Sequence, residues 1–123
     1  MLTPIAYGLA IALNLMIIWI GVRFVLQPMT AAAGYGVAAK ENGDAAYLSI
    51  KGVRDFSYGV LGLVLLAFVG AHAEAWFMLV VTLAPIGDTF IVLRNGGTKA
   101  VAYGIHAATA AVMLITAALL FAV

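Results

Sequence analysis

The stretch IAYGLAIALNLMIIWIGVRFVL, residues 5–26, decides the fold. It is apolar throughout except for Asn14 and the late Arg23, and roughly 20 such residues in a helix cross the hydrocarbon of a bilayer. Thr3 and Pro4 precede it as a candidate N-cap and first helical residue, where the missing amide donor of proline costs nothing. Gln27-Pro28 closes it. Working outward, the same pattern returns at residues 50–69, 75–93 and 100–123. Outer-membrane strands would alternate apolar and polar residues, and these windows do not, so the spans are helical. The expected architecture is all-α: an integral membrane four-helix bundle forming a single transmembrane domain over residues 1–123, multi-pass in the cell membrane, inner or plasma.

Composition agrees. Of 123 residues, 66% are hydrophobic and 9% charged, with a mean hydropathy of +1.15. A soluble domain carries about a quarter charged residues and avoids large apolar patches, so a water-soluble globule is excluded. The absence of cysteine removes disulfides, thiol nucleophiles and Cys-ligated metals. A net charge of +1 offers no basic footprint, so nucleic acid is not an expected partner.

The basic residues Arg23, Lys40, Lys51, Arg54, Arg94 and Lys99 all fall in or beside the first and third breaks between spans. Short loops rich in Lys and Arg stay cytoplasmic, so both termini are expected to be non-cytoplasmic. No basic residue precedes the first apolar stretch as in a cleaved leader, so it is read as a retained span. Trp76 suits an interfacial anchor at the outer side, whereas Trp19 sits about two turns inside the first span. The long break, 27–49, stays apolar through Ala31-Ala32-Ala33-Gly34-Tyr35-Gly36-Val37. That predicts a short interfacial or re-entrant element in the cytoplasmic loop, followed by an Asn42-Gly43 turn.

Ionisable side chains within a span cost several kcal/mol on insertion scales, so each needs a partner or a purpose. Asp55, Asp88 and His106 each lie about five or six residues inside the cytoplasmic end of a different span, roughly 7–10 Å deep. One shared layer suggests convergence in a common chamber, with the two carboxyls sharing a proton or Arg54 or Arg23 neutralising one of them. Gly52, Asp55, Gly59 and Gly62 mark an inward face on the second span. Ala102, His106, Thr109, Ala110, Met113 and Thr116 do the same on the fourth. Pro85 withdraws a donor from the carbonyl of Val81 and is expected to bend the third span above Asp88. Asn14, near mid-membrane, is expected to be hydrogen-bonded to a neighbour.

Asp88, His106 and Asp55 are therefore the candidate catalytic residues, and Arg54, Asn14, Tyr58 and Tyr103 the candidate substrate-binding ones. Each has a plainer alternative. Polar contacts between spans commonly just fix packing, and Tyr35, Tyr47, Tyr58 and Tyr103 also suit interfacial anchors. Glu74 and His72, in the outer loop, are expected to be solvated. No metal or other cofactor is expected. One histidine with two carboxylates lacks a paired-histidine spacing and has an arginine close by. Ser57 lies off the face of Asp55, and Arg94-Asn95-Gly96-Gly97-Thr98-Lys99 lacks the context of a phosphate loop and serves to reverse the chain.

Lys51-Gly52-Val53-Arg54-Asp55 leading to Gly59 and Gly62, then Asp88 to Arg94-Asn95-Gly96-Gly97, then His106 in a small-residue helix, together resemble an uncharacterised family of small four-helix integral membrane proteins, a domain of unknown function. A more distant similarity is to the DoxX-type four-helix membrane proteins. The resemblance runs from about Pro28 onward and implies a four-helix membrane bundle in which Arg54, Asp55, Asp88 and His106 fill the family's polar positions. It implies no activity.

Three functions compete. The first is binding of a lipophilic small molecule in a polar pocket near the cytoplasmic side, with intramembrane acid-base catalysis of isomerisation, cyclisation or epoxide opening. The second is a proton-coupled transporter, which four helices would form only as a homo-oligomer. The third is a non-catalytic membrane subunit. The expected partners are membrane lipid, a lipophilic small molecule and, for the transporter, a second copy of the chain.

Overall fold

A computed structural model describes residues 1–41 and 43–123. Four long helices, α1 (Leu2–Leu26), α3 (Asp44–Val69), α4 (Ala71–Arg94) and α5 (Lys99–Ala122), are each long and apolar enough to cross a membrane. A short helix, α2 (Pro28–Tyr35), lies between the first two. Many large apolar side chains, among them Trp19, Phe68, Trp76, Leu83 and Phe90, are exposed all round the bundle, as lipid-facing surface requires.

A long helix covers each of the four apolar windows, with bounds that differ at the ends. The helix of α3 begins at Asp44 rather than residue 50, because Asp44, Ser49 and Lys51 are compatible with helix although they end the apolar window. Likewise α4 begins at Ala71, so the break before it shrinks to Gly70, whose φ of 135° is easily adopted only without a Cβ. Helix α1 is capped by Met1, which moves Pro4 to the third helical position. Its nitrogen would lack an intrahelical acceptor there too, so the correction is without cost. The Asn42 of the expected Asn-Gly turn lies outside the described residues. The long break between the first two windows holds α2, entered through Pro28 and ended by Gly36 at φ 108°.

Helices α1 and α3 pack along an extended seam. A Cβ on Gly21 would stand 2.5 Å from the Gly52 carbonyl oxygen, one on Gly52 2.6 Å from that of Gly21, and one on Gly59 2.6 Å from that of Asn14. Small residues thus let the two backbones touch. Helices α4 and α5 form the second pair. At the end carrying both chain termini, the pairs meet through Ala6 and Ala10 of α1, Leu66 of α3, Ala75 and Met78 of α4, and Ala117 and Leu120 of α5. At the opposite, loop end they diverge. There α2 packs against α1 and α3 through Ala31 and Ala32, while Gly36 abuts Val92 and Val101 of the other pair.

Candidate functional site

The divergence leaves a cleft of about 370 Å³ between the two pairs. Its wall from Leu13 to Phe24 on α1 runs roughly 16 Å at 1.5 Å per residue. Apolar side chains such as Ile17, Ile20, Phe77 and Val81 line most of it. Lining residues Met16, Trp19 and Ile105 are also exposed, so the cleft opens sideways where lipid would lie. At its loop end it becomes polar, with Arg23, Tyr35, Lys51, Asp55, Asp88 and His106.

Asp55, Asp88 and His106 therefore line one chamber, but they do not bond to one another. Tyr35 and Lys51 stand between them. The Tyr35 hydroxyl donates a hydrogen bond to Asp88 Oδ2. The His106 Nε2 lies 2.7 Å from the Tyr35 carbonyl oxygen. A carbonyl oxygen only accepts, so Nε2 carries the proton, and in the neutral ring Nδ1 is left as the free acceptor. The tyrosine ring tilts against the imidazole, centroids 4.3 Å apart, and meets Phe24 edge-on at 5.4 Å. Burial, followed by the neighbouring Asp88 carboxylate, pushes the Tyr35 phenol well above its ordinary pKa, so it stays a donor.

The expected sharing of a proton between Asp55 and Asp88, and the expected pairing with Arg54, are both replaced. Asp55 Oδ2 takes a 2.6 Å ion pair from Lys51, one turn earlier on the same helix. That ammonium also lies over the Phe24 and Tyr35 rings, at 4.3 and 4.4 Å, where a desolvated cation is attracted by the ring faces. Arg54, adjacent in sequence to Asp55, is turned by the helical step onto the exposed face. The lysine to aspartate spacing of four was the available signal.

Local backbone aims two of these groups. His106 sits in a π-helical stretch, Ala102–Ala107, at the start of α5, and such inserted turns recur at functional sites. In α4 the regular helix is interrupted at Thr82, one turn before Pro85, as the missing donor of that proline leads one to expect. Both Pro85 and Asp88 line the cleft.

Of the candidate binding residues, Tyr58 lines the cleft and is partly exposed. Tyr103, 55% exposed, does not line it and faces outward. Asn14 lines its far end and is hydrogen-bonded as expected, to the Ala10 carbonyl oxygen at 2.9 Å and to Glu74 Oε1 at 2.7 Å. This overturns the expectation of a solvated Glu74. Because the helix starts at Ala71, its first turn carries Glu74 inward, where it is 0% exposed and Oε2 has no hydrogen-bond partner among the described residues. His72 is exposed as expected, with Nε2 3.1 Å from the Phe121 carbonyl oxygen.

Sequence reasoning missed Tyr35 as a site residue. Its aromatic character suited an interface equally well, and only the docking of α2 across both helix pairs reveals its role. Among the described residues no cluster of three His, Asp or Glu side chains could hold a metal ion.

The family described as Domain of unknown function (DUF4267) matches residues 14–120, which includes every polar residue of the cleft. No curated protein and no solved structure matches the chain.

Proposed function

We propose, for a chain that belongs to the DUF4267 family, that the cleft binds an amphiphilic small molecule drawn from the bilayer and that Asp88 and His106 carry out acid-base chemistry on its polar end. The observation that carries this is a laterally open, apolar cleft ending in a cluster of ionisable groups. Apolar walls with a few convergent polar groups are the usual form of a small-molecule site. An apolar tail would lie along Ile17, Ile20, Phe77 and Val81, and the polar end would reach Asp88 and His106.

The chemistry follows from the hydrogen bonds. With Nε2 committed to a backbone carbonyl, His106 offers Nδ1 as a proton acceptor. Asp88, held by the Tyr35 hydroxyl through one oxygen, keeps the other for a ligand. Lys51 and Asp55 neutralise each other and shape the floor rather than reacting. Proton abstraction at one ligand atom and delivery at another, as in isomerisation or ring opening, needs such an acceptor and donor pair. With the basic loops on the cytoplasmic side, this end of the cleft faces the inner leaflet.

The test begins with Thr109→Phe, which fills the cleft from α5. Organic extracts of purified wild type should contain an amphiphile in stoichiometric amount that the filled variant lacks, as read by mass spectrometry. Equal extracts would remove the proposal. Asp88→Asn should retain that amphiphile yet fail to convert it, while conversion at the wild-type rate would leave binding without the assigned chemistry.

A further inference from the structure

A second cavity, about 290 Å³, lies on the loop side of the first. Val37, Ala38 and Ala39 beyond α2, Asp44, Tyr47 and Leu48 of α3, and Ile91 and Val92 of α4 line it. Ala38 and Tyr47 are exposed, so this vestibule opens at the loop surface rather than along the lipid-facing flank. Phe24, Tyr35, Lys51 and Asp88 line both cavities. These four form the wall between them, with the Tyr35 ring wedged against Phe24 and His106 and its hydroxyl fastened to Asp88. Of the acids lining the two spaces, Asp55 belongs to the cleft and Asp44 to the vestibule, while Asp88 reaches both.

We infer that the site has two compartments, a lipid-side cleft for the amphiphile and a loop-side aqueous vestibule, with Tyr35 as the partition and Asp88 as the group served from both. This rests on the acid-base function proposed above and adds its proton supply. A proton given by the Asp88 carboxyl to a ligand leaves a carboxylate. A hydronium from the loop-side solution returns one to it and becomes water, and the proton that His106 Nδ1 took from the ligand passes to a water molecule once the product has left, so Asp88 and His106 both end as they began. The apolar cleft offers no such supply, since lipid lies at its mouth. A partly buried acid that works repeatedly needs a route to water, and the partition gives Asp88 that route without flooding the ligand. Tyr35 acts here as a positioning residue, through its ring and its bond to Asp88.

The chain lacks cysteine, so single cysteines report access directly. Ala38→Cys marks the vestibule, Thr109→Cys the cleft and Asp88→Cys the wall, each in lipid nanodiscs. They are treated with a charged, membrane-impermeant methanethiosulfonate and, separately, with lipid-soluble N-phenylmaleimide. Ala38→Cys and Asp88→Cys should react readily with the charged reagent. Thr109→Cys should react slower by at least about tenfold, a power of ten being one modest shift in an opening equilibrium, yet accept the maleimide. Adding Tyr35→Ala should bring Thr109→Cys up to the vestibule rate without changing Ala38→Cys, while Tyr35→Phe, which keeps the ring, should not. Fast charged labelling of Thr109→Cys with Tyr35 present, no gain with Tyr35→Ala, or a sluggish Asp88→Cys would each overturn the partition. Should Tyr35→Ala fail to fold, the contrast between the two reagents in the unaltered background still decides. Inertness of Thr109→Cys to both reagents would instead overturn the lipid-open cleft.

Discussion

At the terminal end of the bundle the two helix pairs meet through Ala6, Ala10, Ala75 and Ala117, each almost wholly buried. Beyond that contact, toward the loop end, the facing side chains Ile17, Ile20, Phe77 and Val81 line a cleft of about 370 Å³. Polar groups follow the same division. Toward the terminal end Asn14 meets a fully buried Glu74 in a close contact, whereas the loop end gathers Arg23, Tyr35, Lys51, Asp55, Asp88 and His106 around open space. Small residues permit contact between helices, and in lipid that contact supplies much of what holds them together. The contrast teaches that one end is built for cohesion and that the other gives up packing for a chamber.

Filling space should therefore have opposite consequences at the two ends. Ala10→Leu, at a position with 0% exposure, should destabilise the bundle by about 3 kcal/mol through overpacking, measured as a shift in SDS-induced unfolding in mixed micelles. A neutral result would show that the terminal end is not close-packed. Next in size is Glu74→Ala, which strips Asn14 of a partner and leaves a hole, for a loss of about 2 kcal/mol. Glu74→Gln should recover most of it by keeping an acceptor for the Asn14 amide, and an equal loss for both variants would mean that charge rather than hydrogen bonding matters there.

Tyr35→Phe keeps the ring and removes the bond to Asp88, so a loss of about 1 kcal/mol is expected. The pH dependence of that variant sharpens the comparison further. In the folded chain the Tyr35 phenol, raised from its ordinary value of 10.0 by burial and then by Asp88, keeps its proton where the unfolded chain gives it up. Its contribution is thus complete below about pH 10 and lost as pH rises beyond that. Alkaline unfolding of wild type should be steeper above this point than that of Tyr35→Phe, and parallel curves would count against the assigned environment. The smallest effect belongs to Thr109→Phe in the cleft, expected to change stability by less than about 0.5 kcal/mol because the added ring enters open space. A penalty as large as that of Ala10→Leu would dissolve the distinction between the ends.

Much of the bundle could be read from residue order alone. Gly52, Asp55, Gly59 and Gly62 are all buried, as are Ala102, His106, Ala110 and Thr116 on α5, because the helical repeat fixes which positions share a face. Helix ends were less legible. Asp44 and Ala71 begin their helices several residues before the apolar windows, since hydropathy marks where lipid would be and not where hydrogen bonding starts. Glu74 was misplaced for the same reason. The layer formed by Asp55, Asp88 and His106 was visible as a shared depth, but its pairings were not. Lys51 takes Asp55 from Arg54, and Tyr35 takes both Asp88 and His106.

The sequence alone therefore determined that four apolar helices are long enough to cross a membrane and which faces of the second and fourth turn inward, because both depend on length, composition and a fixed angular step per residue. Only the tertiary structure decided which polar groups meet across helices. That outcome depends on α2 folding back between two diverging helix pairs, a long-range placement carried by the contact of Gly36 with Val92 and Val101 and by no local pattern along the chain.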